Sequence, residues 1–252
     1  MKEIQAVGFD LFNTLITMDR KALEDATARL LGSLKDSGLT VDPARFVADH
    51  RSAAARLLEK TREDGRETHN RYWIQEALSL QGFDLSPDDE RITRALESYF
   101  AAFLDYVALV PGTLRMLELL GTKFRLGLLS NFTHAPAARA ILKATGLDPF
   151  FAVQAISGEI GYRKPHAAAF DELVEGLGLE RTSIIYVGDD LEPDIYGAVQ
   201  NGLTPVWTTY VMDHGLSFAP GYASREDLVP RDHVSRISDW EDLMRLLEMD
   251  VR

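Results

Sequence analysis

The 252-residue chain contains no cysteine, which excludes disulfide frameworks, thiolate metal sites and cysteine nucleophiles, and accords with a reducing compartment. It also lacks any apolar run near 18 residues, the length that a membrane-spanning helix needs. The apolar stretch at Met1 to Phe9 is too short for the core of a secretory signal, so a cytoplasmic location is expected. Basic charge is scarce. There are 27 Lys and Arg against 39 Asp and Glu, a net charge of −12, which repels phosphate backbones and anionic lipid surfaces. Neither nucleic acid nor a membrane is an expected partner. Walker loops and Gly-x-Gly-x-x-Gly, His-Glu-x-x-His and Gly-x-Ser-x-Gly patterns are absent too, which leaves nucleotide kinases, dinucleotide oxidoreductases, zincins and serine hydrolases without support.

What is present is the composition of a folded globular protein, 46% hydrophobic and 26% charged. The length exceeds one ordinary domain and falls short of two, which suggests a core interrupted by a smaller insert. Short apolar runs without alternation read as buried parallel strands: Ile4 to Phe9, Phe124 to Leu129, Ile184 to Val187 and Leu203 to Thr208. Weaker runs at Phe150 to Ile156 and Val234 to Ile237 suit sheet edges. Helical patterns lie between them, at Thr113 to Leu120, Ala135 to Ala144, Ala167 to Leu177, Asp194 to Gln200 and Asp239 to Met249. This alternation predicts an α/β, doubly wound parallel sheet with a Rossmann-like layout.

Residues 20 to 108 break the rhythm and read as helices only, punctuated at Asp42-Pro43, Asp64-Gly65 and Ser86-Pro87. The domains expected are therefore an α/β core, 1–17 and 109–252, and an inserted all-helical cap, 18–108. Residues 211–233 carry no clear pattern and read as a surface loop.

Ligands of open parallel sheets bind beyond the carboxyl ends of the strands, and there the polar residues gather. The first strand is followed by Asp10-Leu-Phe-Asn-Thr14, the second by Ser130-Asn131, and the Ile184 strand by Gly188-Asp189-Asp190-Leu-Glu192-Pro-Asp194. Lys164 stands in Gly161-Tyr-Arg-Lys-Pro165, with Pro165 expected at the first turn of the next helix. If Asp10 and Asp189 converge to about 4 Å, they repel by about 4 kcal/mol at an effective dielectric near 20. Such a site calls for a cation, and hard oxygen ligands without His or Cys favour Mg²⁺. Lys164, Ser130, Thr14 and the loop amides supply positive charge and donors for an anion, so the expected partner is a small anionic substrate.

Taken in order, with an early helical insert, these four motifs resemble the haloacid dehalogenase (HAD) superfamily of hydrolases with a C1-type cap. The resemblance implies a covalent nucleophile at Asp10. It implies Mg²⁺ held by Asp10, the main-chain carbonyl of Phe12 and Asp189, with Asp190 or Asp194 in or beside the ligand set. Ser130 with the Asn131 amide would clamp the transferred group, Lys164 would steady nucleophile and intermediate, and Thr14 would orient the first loop.

The chain departs from that pattern at Phe12, where family phosphatases usually carry a second Asp that protonates the leaving oxygen and activates water. Its loss costs about 10²- to 10⁴-fold wherever general acid catalysis matters. Carbon–halogen cleavage needs no such acid, but Asp189 and Asp190 favour a metal and a phosphate. Three readings stay open: a Mg²⁺-dependent phosphohydrolase of a small metabolite, a 2-haloacid dehalogenase, and a weakly catalytic HAD domain that binds a phosphorylated ligand or a protein. His134 is a candidate substitute acid because imidazole titrates near neutrality. The segment Arg62 to Trp73 mixes cations and aromatics and reads either as a solvated helix end or as a loop reaching over the site.

Overall fold

Ala6–Phe9 is buried at every position and forms β1, one of the two central strands in a computed structural model that describes residues 3–216 and 234–249. The sheet is completed by β4 (Arg125–Ser130), β5 (Val153–Ile156), β6 (Ile184–Gly188), β7 (Thr204–Thr208) and β8 (Ser235–Ile237). All six strands run parallel in the order β5-β4-β1-β6-β7-β8. Successive side chains of a strand point to opposite faces. Accordingly Val7 and Phe9 join one apolar core, while Ala6 joins a second with Leu173, Phe170 and Tyr186. The expected strands thus all occur, the Ile184 strand starting where expected and the others displaced by one to three residues.

Helices cover both faces: α5 (Thr113–Gly121), α6 (Ala135–Ala144), the short α7 (Ser157–Ile160), α8 (Ala167–Leu177), α9 (Gly197–Gln200), α10 (Tyr210–Asp213) and α11 (Trp240–Leu246). Three details differ from expectation. Pro165 precedes the His166 N-cap of α8 instead of occupying its first turn. The helix expected from Asp194 begins earlier, as a π-helix over Leu191–Tyr196 that runs into α9. Within the expected loop 211–233, residues 211–213 belong to α10, and 217–233 lie outside the described residues.

The insert consists of α1 (Lys21–Asp36), α2 (Pro43–Asp64), α3 (Asn70–Ser79) and α4 (Glu90–Ala101), with α1 packed on α4 and α2 on α3. The sequence punctuation sets their ends. Asp42 accepts a hydrogen bond from the Arg45 N–H ahead of Pro43, and Gly65 closes α2 with φ of 69°, a conformation open to glycine at little cost. The insert is not wholly helical, however. Ile16–Met18 (β2) and Val107–Leu109 (β3) pair antiparallel and join core to cap. Each is three residues long, too short for a periodic signal, and the expected domain boundaries fall inside this ribbon. Apolar packing continues from the core into the cap: one cluster includes Phe9, Leu15, Leu30, Phe46, Ile92 and Phe103. Among the described residues no helix is long and apolar enough to cross a membrane.

Within the cap the half-buried His50 stacks on Phe46 at 6.0 Å and meets the edge of Trp73 at 6.1 Å. Burial, assisted by Arg51, lowers its pKa to about 4. The unfolded chain, with an ordinary His pKa near 6.5, binds this proton first, so stability is full above about pH 6.5 and is lost as pH falls toward 4. Thermal melts across that window should show a smaller acid-side fall in midpoint for His50→Phe than for the unaltered chain; equal falls would refute the assignment.

Candidate active site

The parallel register sets Phe9 level with Leu128 and Val187, so Asp10 emerges beside the ends of β4 and β6. Asp10 is 7% exposed, and its N–H donates to the Val187 carbonyl at 2.9 Å. Asp189 follows β6, and Asp194 turns back toward the strand ends from the π-helix, whose wide turn is closed by the Ile195 N–H donating to the Asp190 carbonyl at 3.3 Å. Gly188 makes room for it: a Cβ there would lie 2.4 Å from Asp194 side-chain atoms. One carboxylate oxygen from each of Asp10, Asp189 and Asp194 lies within 4.8 Å of the others.

Lys164 enters this group from the loop before α8, with a side chain only 2% exposed. Its Nζ donates to Asp10 Oδ1 and Asp194 Oδ1, both at 2.6 Å, and to Tyr186 Oη at 2.9 Å. Those three bonds use all the donors of an ammonium. The Tyr186 hydroxyl passes its own hydrogen to the Leu129 carbonyl at 2.8 Å.

The other sequence candidates surround this centre. Ser130 ends β4 and is 1% exposed. The Asn131 side chain brackets the Lys164 backbone, accepting from its N–H at 2.7 Å and donating to its carbonyl at 3.0 Å. Thr14 Oγ1 lies 3.5 Å from Asp189 Oδ1. Asp190 stands outside the carboxylate trio. Its side chain accepts from the Glu192 N–H at 3.2 Å and caps the π-helix, while its own N–H donates to Asp194 Oδ2 at 3.0 Å. Phe12 stacks on Phe132 with ring centres 5.1 Å apart and planes 5° from parallel. Phe132 in turn meets Phe100 at 5.4 Å and Phe103 at 6.4 Å in the cap.

Charge balance explains the titration. Burial raises the Asp10 pKa to about 7 against the pull of Lys164, with Asp194 adding to the rise. Burial, then Asp194 and Asp10, push Asp189 well above the usual carboxylate range. Burial disfavours the Lys164 ammonium, but Asp10 and Asp194 outweigh it and hold its pKa well above the ordinary value. When all three are ionised, the carboxylates exceed the one ammonium by two charges, an excess that a divalent cation would offset. Hard oxygen donors at this spacing suit Mg²⁺.

His134 lies at the cap boundary, stacked on Phe100 at 4.7 Å and edge-on to His69 at 5.5 Å. Burial, then Arg71, lowers its pKa to about 4, so the ring is neutral at pH 7 and is not the imidazolium that a substitute acid would require. Sequence reading missed Tyr186, the sole non-carboxylate partner of the Lys164 ammonium among the described residues, and Trp207, whose indole N–H donates to the Asp189 carbonyl at 2.8 Å. Both sit in runs that read simply as buried strand. The segment from Arg62 to Trp73 does reach the core, with Glu67 buried against Arg163.

Comparison with known proteins adds three findings. A family model described as "haloacid dehalogenase-like hydrolase" matches residues 4–202. A glyceraldehyde 3-phosphate phosphatase from Pyrococcus abyssi is 27% identical over 208 residues, covering 82% of each chain, and a phosphoglycolate phosphatase from Rhodospirillum rubrum is 33% identical over 153 residues, 60% of each. The crystal structure of a 2-haloacid dehalogenase from Pseudomonas syringae pv. Tomato superposes with a TM-score of 0.69 at 25% identity, covering 97% of this chain and 98% of that one.

Gly188→Ala should force Asp194 away from Lys164. The overpacking costs about 1–3 kcal/mol, a fall in thermal midpoint of about 2–4 °C per kcal/mol for a chain of this size. Gly32→Ala in α1, where an added Cβ meets nothing within 4 Å, should instead raise the midpoint slightly. Equal midpoints for the two variants would contradict the close approach at Gly188.

Proposed function

Because the chain belongs to the haloacid dehalogenase-like hydrolase family, we propose that it is a Mg²⁺-dependent phosphohydrolase of small phosphorylated metabolites that works through an aspartyl-phosphate at Asp10. The observation that carries this reading is the convergence of Asp10, Asp189 and Asp194 within 4.8 Å around the buried Lys164. The phosphatase names of the two relatives support it.

Asp10, Asp189 and the Phe12 main-chain carbonyl would hold the ion, with Asp194 beside them and Asp190 fixing the turn that carries Asp194. Bound there, Mg²⁺ supplies positive charge for the phosphoryl oxygens. The chain's own groups perform the remaining steps. A carboxylate oxygen of Asp10 attacks phosphorus, the bond from phosphorus to the leaving oxygen breaks, and the electron pair departs with that oxygen. Water then attacks phosphorus, releasing inorganic phosphate and regenerating the Asp10 carboxylate. Ser130 and the Asn131 amide bind the transferred group, while Lys164, its three donors committed to Asp10, Asp194 and Tyr186, holds Asp10 in place and adds positive charge beside that group. These donors stand preorganised, so they need no rearrangement as charge develops.

Phe12 shapes the substrate range. With a phenyl ring where an acid would protonate the leaving oxygen, turnover favours leaving groups that depart as stable anions. This feature, with the likeness to a 2-haloacid dehalogenase, keeps carboxylate attack on a carbon–halogen bond as the second reading.

Two experiments test these statements. The purified protein should release phosphate from p-nitrophenyl phosphate or acetyl phosphate with Mg²⁺, lose that activity in EDTA, and be inactive as Asp10→Asn; halide release from 2-chloropropionate that survives EDTA, without phosphate release, would establish the second reading instead. Phe12→Asp should raise turnover of an alkyl phosphate by about tenfold or more, with less effect on p-nitrophenyl phosphate. A folded, Mg²⁺-binding variant without that gain would refute the missing-acid explanation.

A further inference from the structure

The loop joining α2 to α3 belongs to the cap by sequence, yet it is bonded to the core. Arg66 and Tyr162 form an antiparallel bridge. The Glu67 N–H donates to the Gly161 carbonyl at 2.9 Å, and the Arg163 N–H donates to the Gly65 carbonyl at 3.0 Å. The approach is close enough that a Cβ on Gly65 would lie 2.5 Å from the His166 ring. Farther along, the Thr133 hydroxyl donates to Asn70 Oδ1.

Glu67 is the centre of this contact, with a side chain 2% exposed. Oε1 accepts from Arg163 Nη1 at 3.1 Å, and Oε2 accepts from the Ser157 hydroxyl. Ser157 is fully buried, and its oxygen accepts from the Phe132 N–H at 2.8 Å. Arg163 directly precedes Lys164, whose backbone is bracketed by Asn131. One cap carboxylate therefore bonds directly to the loop before α8, which carries Lys164, and reaches the segment after Ser130 and Asn131 through Ser157, whose oxygen accepts from Phe132. A carboxylate leaves water only when charge and hydrogen bonds replace its hydration. Here Arg163 and Ser157 provide both, and they do so only while the cap loop lies on the core.

We propose that Glu67 is a positioning residue that registers cap docking at the hydrolytic site, fixing the spacing between the Ser130–Asn131 loop and Lys164 through Ser157 and Arg163. This rests on the reading of Asp10, Ser130 and Lys164 as the reacting centre. Misplacing such groups by about 1 Å costs on the order of 100-fold in rate.

The test compares Glu67→Ala, Glu67→Gln, Ser157→Ala and the Glu67→Ala/Ser157→Ala pair in the full chain. It measures kcat and KM with p-nitrophenyl phosphate and Mg²⁺, together with hydrogen exchange at the Phe132 and Arg163 amides. Glu67→Ala should lower kcat by about 10- to 100-fold, change KM by less than about threefold, and speed exchange at both amides while the sheet amides stay protected. Glu67→Gln keeps the size and an acceptor for Arg163, and should recover most of kcat. Ser157→Ala should reproduce much of the loss, and the double variant should lose less than the two single losses combined. A Glu67→Ala kcat within twofold of the unaltered chain, strictly additive losses, or unchanged exchange at Phe132 and Arg163 would overturn the proposal. If the unaltered chain hydrolyses no phosphate ester, the reading of the site fails, and the exchange at the two amides still decides whether Glu67 links the loops.

Discussion

Lys164 places an ammonium in the interior with its three donors committed to Asp10, Asp194 and Tyr186. Burying such a charge costs several kcal/mol unless it is paired and fully hydrogen-bonded, and removing one partner of a buried pair is more damaging than never having had it. The three acceptors come from the end of β1, the π-helix after β6 and the middle of β6, so the arrangement holds only if these elements sit in one relative position. Gly188, the wide turn at Leu191–Tyr196 and the Asn131 bracket all serve that placement. In this sense the Lys164 cluster is a structural clamp on the carboxyl edge of the sheet.

The contacts of Phe12 have a different chemistry. Phe12, Phe132, Phe100 and Phe103 form a succession of ring contacts from the segment after β1 into the cap. Offset and edge-on rings of this kind contribute about 0.5–1.5 kcal/mol per pair beyond the area they bury. A carboxylate at residue 12 would face Phe132 and be partly desolvated. The departure at Phe12 is thus tied to cap packing, and it exchanges proton transfer for an apolar contact between core and cap. The polar contacts of the Gly65–Asn70 loop form a second attachment, so the cap is held to the core by apolar packing as well as by an ion pair.

Much of the architecture was legible because its signals are local. Unbroken apolar runs such as Ile184 to Val187 announce buried parallel strands, and Asp42-Pro43 and Gly65 mark helix ends through capping and left-handed geometry. The β2–β3 ribbon was not legible, since three-residue strands carry no period and their pairing joins Ile16 to Leu109. The π-helix was hidden because its pattern resembles an ordinary helix starting late. Tyr186 and Trp207 were hidden for another reason. In a buried strand every apolar residue looks alike until the fold decides which of them has a polar group pointed at a functional neighbour.

The sequence by itself determined the family, the α/β layout, the helical insert and the set of polar residues at the strand ends, because motif order and hydrophobic pattern are properties of the chain. Only the tertiary structure decided which of those residues meet. It brought Asp194 into the carboxylate trio and left Asp190 as a helix cap. It turned Asn131 toward the Lys164 backbone, made His134 a neutral ring in an aromatic stack, and buried the cap's Glu67 between two core loops. The reason is physical: charge state, partner and burial are set by distances between segments far apart in the chain, and those distances exist only once the sheet, the turn after β6 and the cap have packed together.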